Sequence, residues 1–293
     1  MATGLPKEIG LPAPIGTADF IYHPLVNGAA TGERAKRSSP ADIEATRLVE
    51  YLDKCLGLYD FELKPEGQAA FAELVGELLN NCEDHSGGSD WWIAAYLRQP
   101  KGGNVGDVHL AIFSFGDTIA ESMRSLPSES MLRKDIDRLL THHRKIGTFR
   151  KLAEETFWTL LAIQQRVSRK NKLPNRVGNR GQGTVRMMEA FRRLGSTAAG
   201  LSPVMTLVSG RSQLIFDGEY ELSAKGQQKA GQRTIAFNIP NSLELPPDPA
   251  KVRTLATSFP GTLISLRFYL DPTNLQQASE YAVKSSQPRR AQG

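Results

Sequence analysis

The stretch from Glu73 to Ser86, ELVGELLNNCEDHS, constrains this chain more than any other. Phe71, Leu74, Val75, Leu78, Leu79 and Cys82 recur at helical spacing and predict one continuous apolar stripe. Glu73, Glu77, Asn81 and Asp84 follow at i, i+4, i+8 and i+11 and line up along another side of the same helix. A carboxylate and a carboxamide one turn apart can serve a metal-bound phosphate. The amide oxygen is a hard ligand, and the carboxylate can orient or deprotonate a water. The plainer alternative is a surface helix whose wet face carries Glu and Asn. The order of the motifs that follow decides between the two.

A chain of 293 residues can bury a full core as one large or two small domains. Its 40% hydrophobic and 23% charged content is that of an ordinary soluble globular protein. No apolar run is long enough to span a bilayer, and the N-terminus lacks a basic-then-apolar signal pattern. Cys55 and Cys82 sit in apolar helical patterns without a CxxC or Cys/His cluster, so they read as buried thiols in a reducing compartment. The expected location is the cytoplasm, with no membrane partner. A net charge of +5 and a pI of 9.2 raise the question of nucleic acid. Much of the excess, however, is scattered or lies in 169–172 and 288–290. No basic stripe interleaved with aromatics runs along the chain, as a single-strand groove would need, so nucleic acid is not the expected partner. The charge reads as solvated surface with local attraction for a polyanion such as a triphosphate.

Taken in order, residues 1–38 are rich in Gly, Pro and Ala without periodicity and read as an N-terminal arm that wraps the domain or pairs with a second subunit. Ser39-Pro40 starts a helix, with Ser39 as cap and Ile43, Leu48, Leu52 and Cys55 toward a core. A turn over Leu58 to Leu63 leads through Gly67 into the Glu73–Ser86 helix. Trp91 to Leu97 and Val108 to Phe115 predict two strands, on which Trp91 and Trp92 point to opposite faces with one in the core. Ser125 to Asn179 is largely helical and charged; its basic, Pro-broken part from Ser168 to Gly178 reads as a mobile loop, and His142 and His143 as surface histidines. A helix through Met187, Met188, Phe191 and Leu194 stops at Gly195. Val204 to Ser209 turning at Gly210 into Gln213 to Phe216, then Arg233 to Asn238, then Gly261 to Leu270 predict the closing strands. The tail, 273–293, is polar and Gln/Ser-rich.

Four short motifs lie in one order along this frame. The first is Glu77-Leu-Leu-Asn-Asn81-Cys-Glu-Asp84-His85 on the helix. The second is Ser114-Phe-Gly116-Asp-Thr118-Ile119 at the end of a strand. Arg180-Gly181-Gln182-Gly183-Thr184 then opens a helix, where backbone N–H groups and an arginine suit an anion. Last, Gly261-Thr262 leads into the final strand. Over about residues 40 to 270 the chain resembles the GHKL or Bergerat-fold ATPases, which include gyrase-type topoisomerases, the heat-shock ninety chaperone, histidine kinases and mismatch-repair ATPases.

The resemblance implies a two-layer α/β sandwich, a mixed and mainly antiparallel sheet with helices on one face, over residues 39–272 with a helical ATP lid at about 125–179. It implies ATP and Mg²⁺ as cofactors: Asn81 as the metal residue, Glu77 as the catalytic residue that activates water, and Asp84 and His85 beside them. Ser114, Gly116, Thr118, Ile119 and Thr262 would face adenine, and Arg180, Gly181, Gln182, Gly183 and Thr184 the phosphates. Ser114 stands where the family has an Asp that accepts a bond from the adenine amino group, and Thr118 where it has a second Gly. A serine hydroxyl can still accept that bond, as a neutral partner. The implied function is slow Mg-dependent ATP hydrolysis coupled to lid closure and to signalling toward a protein partner or second subunit. The alternatives are a protein-serine kinase of the anti-sigma type, to which the Asn81-to-His85 spacing is similar, and a non-catalytic nucleotide sensor.

Overall fold

The computed structural model describes residues 18–28, 39–85, 91–100, 105–164, 187–189, 191, 197, 200–223 and 233–271. Its main elements in chain order are β1 (Ala18–Gly28), α1 (Pro40–Gly57), α2 (Pro65–His85), β2 (Trp91–Pro100), β3 (Gly106–Phe115), α3 (Ile119–Arg124), α4 (Met131–Lys145), α5 (Glu154–Ala162), β4 (Val204–Phe216) and β5 (Val252–Leu270). The strands form one sheet in the order β1-β2-β3-β5-β4. Every pairing is antiparallel, so the expected mixed sheet is corrected to an antiparallel one. The architecture is α/β and compatible with a two-layer sandwich.

Local chemistry explains the helix boundaries. Ser39 caps α1 by accepting the Asp42 N–H at 3.1 Å while the Asp42 carboxylate accepts the Ser39 N–H at 3.1 Å, and Pro40 opens the first turn. Leu48, Leu52 and Cys55 reach the core, but Ile43 is 46% exposed. Ala41, Glu44 and Ala45 occupy the core side of that turn, which leaves Ile43 on the far side. On α2 the whole stripe of Phe71, Leu74, Val75, Leu78, Leu79 and Cys82 is buried. Both cysteines are free thiols, and burial pushes the Cys55 thiol up to about 11.

On the sheet, alternate residues point to opposite sides. Val108, Leu110, Ile112, Leu207, Ile264, Leu266 and Phe268 lie on the side shared with the helices and form the core with them. Trp91 is buried there while Trp92 points to the other side, as expected.

The structure adds to some of the expectations and differs from others. The segment read as an arm contains β1, which pairs with β2 through a register shift between His23 and Val26. Pro24 breaks the alternation there and hides the strand. The β4 strand runs through Gly210 without reversing, with only a register shift on either side of it. Arg233 to Asn238 is not a strand: side chains take its backbone groups, with Gln164 accepting the Ile235 N–H and Asn241 the Ala236 N–H, and Phe237 has φ 54°. The part of the expected lid from Ser125 to Gln164 is packed into the core through Ile136, Leu140, Phe157 and Trp158. His143 is buried rather than at the surface, because its ring bonds both to Thr148 and to the Leu243 carbonyl. Met187, Met188 and Phe191 are buried as expected. The loop at 168–178, Leu194 with Gly195, and the tail 273–293 lie outside the described residues.

Candidate functional site

Going along the helix side of the sheet, each cross-strand row of β3, β5 and β4 is apolar until the last. Leu110, Leu266 and Met205 form one row, and Ile112, Ile264 and Leu207 the next. The row after that is Ser114, Thr262 and Ser209, three hydroxyls side by side on three strands. Neighbouring strands lie about 4.8 Å apart, so the row spans roughly 10 Å.

The hydrogen bonds around Ser209 settle which way these hydroxyls point. Ser209 Oγ accepts the Ile119 N–H at 2.9 Å and lies 3.1 Å from the Gly261 carbonyl oxygen and 3.0 Å from Thr262 Oγ1. A carbonyl can only accept, so the Ser209 proton goes to Gly261 and Thr262 donates to Ser209. Thr262 Oγ1 is then left with its lone pairs as acceptors. Ser114 is 3% exposed and completes the row beside Thr262.

Two glycines make the row possible. Gly261 has φ 147°, and a Cβ there would lie 2.0 Å from the Ser114 carbonyl oxygen, so only glycine lets β5 approach β3 at this point. Gly116 has φ 129° and donates its N–H to the Pro260 carbonyl at 3.2 Å, closing the exit of β3 against β5.

The structure thus brings Ser114, Gly116, Ile119 and Thr262 together, and adds Ser209. Sequence reasoning missed Ser209 because nothing near it in the chain marks it; only strand register sets it beside Thr262. Thr118 is next to this group, but its hydroxyl is spent on capping α3. It accepts the Glu121 N–H at 3.2 Å and donates to Glu121 Oε2 at 2.8 Å, and its own N–H goes to the same carboxylate oxygen at 2.8 Å. The bonds from Thr118 hold the Glu121 carboxyl below its ordinary range. Glu155 comes from α5 to the same corner, where its Oε1 accepts the Arg211 N–H at 3.0 Å.

The α2 helix is tied to this end of the sheet by chain connectivity. His85 precedes Trp91 by six residues, so the end of α2 lies within about 20 Å of Trp91, which pairs with Ser114. Glu77 is half-buried on that helix. The side chains of Asn81, Asp84 and His85, and all of Arg180, Gly181, Gln182, Gly183 and Thr184, lie outside the described residues. Among the described residues no three His, Cys, Asp or Glu side chains converge as a metal site. No described helix is long and apolar enough to cross a membrane. Comparison with protein-family models, with curated proteins and with solved structures finds no match for this chain.

Proposed function

We propose that the protein binds ATP with Mg²⁺ between α2 and the hydroxyl-bearing end of its sheet, and hydrolyses it slowly. The observation that carries this reading is the Ser114–Thr262–Ser209 row. It ends an apolar surface with the Ser114 hydroxyl and with the Thr262 hydroxyl fixed as an acceptor, which suits the flat apolar faces and the amino edge of adenine. Ser114 and Thr262 would face the base, with Gly116 leaving room for it beside the backbone. Ile119 would act through its backbone bond to Ser209, and Thr118 as the cap that holds this turn.

Asn81 would hold Mg²⁺, which when bound neutralises charge on the phosphates. A cation shared between one carboxamide and the substrate's own phosphates needs no cage of protein carboxylates. Glu77, one turn earlier, would orient the water, and the amides from Gly181 to Thr184 with Arg180 would cradle the phosphates. The bound state would then be passed to a protein partner or second subunit.

Titration with a fluorescent ATP analogue, with and without Mg²⁺, and phosphate release from ATP test this together. Glu77→Gln is expected to bind as the parent does and to release phosphate roughly tenfold or more slowly. Asn81→Ala is expected to lose the Mg²⁺-dependent part of binding. Absence of Mg²⁺-dependent ATP binding in the parent protein would remove the proposal, and transfer of label to an added protein instead of water would redirect it to the kinase alternative.

A further inference from the structure

The side of the sheet turned away from the helices carries no described helix, and its composition is unusual for a wet surface. Trp92 and Phe113 stack with ring centroids 5.6 Å apart at 11°, Phe115 meets Trp92 edge-on at 5.2 Å, and Phe259 stacks on Phe115 at 5.7 Å and 22°. Phe115 is 41% exposed and the others are half-buried. Four residues farther along both strands, Tyr96 stacks on His109 at 4.6 Å and 12°.

Arginines flank these rings on both sides. Arg98 lies beyond the Tyr96–His109 pair and Arg267 beside His109 on the neighbouring strand, and Arg211 and Arg253 lie beyond Phe259 on the extension of β4 and β5. All four are exposed. Against them the strand positions of this face carry one carboxylate, Asp107, which is already paired with Arg267 at 2.8 Å. The face therefore offers flat aromatic surface with positive charge at both ends.

From this juxtaposition we infer that the open face of the sheet binds single-stranded nucleic acid, with bases stacked on the Trp92–Phe113–Phe115–Phe259 platform and phosphates drawn to the flanking arginines. Stacking accepts any base because every base has a π-face, and guanidinium groups neutralise the backbone. The aromatic platform, with Phe115 at its exposed end, and the one-sided charge favour this occupant over a second copy of the chain. A second copy would bring the same excess of arginines against itself.

Of the three tryptophans, Trp91 is 1% and Trp158 is 2% exposed, so quenching of the intrinsic fluorescence reports on Trp92. The test titrates the full chain with a twenty-nucleotide thymidine strand at low salt, following both this fluorescence and the anisotropy of the labelled strand. Quenching and binding are expected to coincide, with a log–log salt slope of about −2 for three phosphate contacts. Trp92→Ala should weaken binding roughly tenfold. Arg98→Gln and Arg253→Gln, both at the surface, should keep the fold and each flatten the slope by about 0.7. Trp92→Tyr, which preserves a ring, should retain most of the affinity. Binding that leaves Trp92 unquenched, equal affinity for a duplex, indifference to both arginine substitutions, or concentration-dependent self-association that buries Trp92 in place of the strand would each overturn the proposal.

Discussion

His143 shows how far a single side chain can depart from what its neighbours in the chain suggest. Its exposure is 0%, its ring lies 4.2 Å from that of Phe157, and both nitrogens are engaged. Because the Leu243 carbonyl can only accept, Nε2 carries the proton and Nδ1 accepts from the Thr148 hydroxyl at 2.8 Å. The ring is thereby held in one neutral tautomer that ties α4 to the segment around Leu243. Burial lowers its pKa below the ordinary 6.5; the Leu243 bond and Glu244 pull the other way, and His142 adds to the lowering. The unfolded chain therefore takes up this proton first, and the stability His143 contributes is present above 6.5 and lost as pH falls below it. His143→Ala should cost about 3 kcal/mol, from the cavity against Phe157 and two unpaired partners. Urea unfolding at pH 7.5 checks that figure. Repeating it at pH 5.5 should show a smaller loss between the two values in the variant than in the parent.

Among the elements, those whose signals are local were legible in the sequence. Ser39-Pro40 announces α1 because a cap and a first-turn proline act within four residues, and the α2 stripe is a periodicity of one helix. The hydroxyl row was half legible. Ser114 and Thr262 were reached through motifs, whereas Ser209 and the Trp92–Phe259 platform exist only through strand register, which no window of sequence contains. β1 was hidden by Pro24, and Arg233 to Asn238 imitates a strand in composition while Gln164 and Asn241 take its backbone bonds. Gly261 decides whether the row can form, since β3 and β5 can meet at Ser114 only without a Cβ there. Gly261→Ala should destabilise the protein by about 3 kcal/mol or more, because the clash is with backbone and the φ of 147° is foreign to alanine. Chemical denaturation measures the loss. Hydrogen exchange should place the newly exposed amides at the Ser114 end of β3 and β5, with the Gly106 end still protected.

Across the whole molecule, Asp107 joins the stability of the sheet to the charge of its open face. The carboxylate is 8% exposed and takes both Arg267 bonds, at 2.9 and 2.8 Å, from the neighbouring strand, with His109 Nε2 at 3.1 Å on its own. Burial alone would raise its pKa, but the bonds from His109 and Arg267 outweigh that and hold it at about 2, against an ordinary 3.8. A lowered carboxylate stabilises the fold above its unfolded pKa and gives that stability up as pH falls toward its folded one. The limb of acid unfolding between about pH 4 and pH 2 should therefore shrink in Asp107→Asn, while the limb set by His143 near neutrality stays. The same substitution frees Arg267 from its partner. If the open face holds a single strand, Asp107→Asn should bind it more tightly and steepen the salt slope by about 0.7, even as the thermal midpoint at pH 7 falls. Thermal melts and oligonucleotide titrations on one preparation read the two effects separately. Opposite movement in stability and affinity is what a charge-paired platform requires, because a residue serving the fold alone would lower both or leave binding untouched.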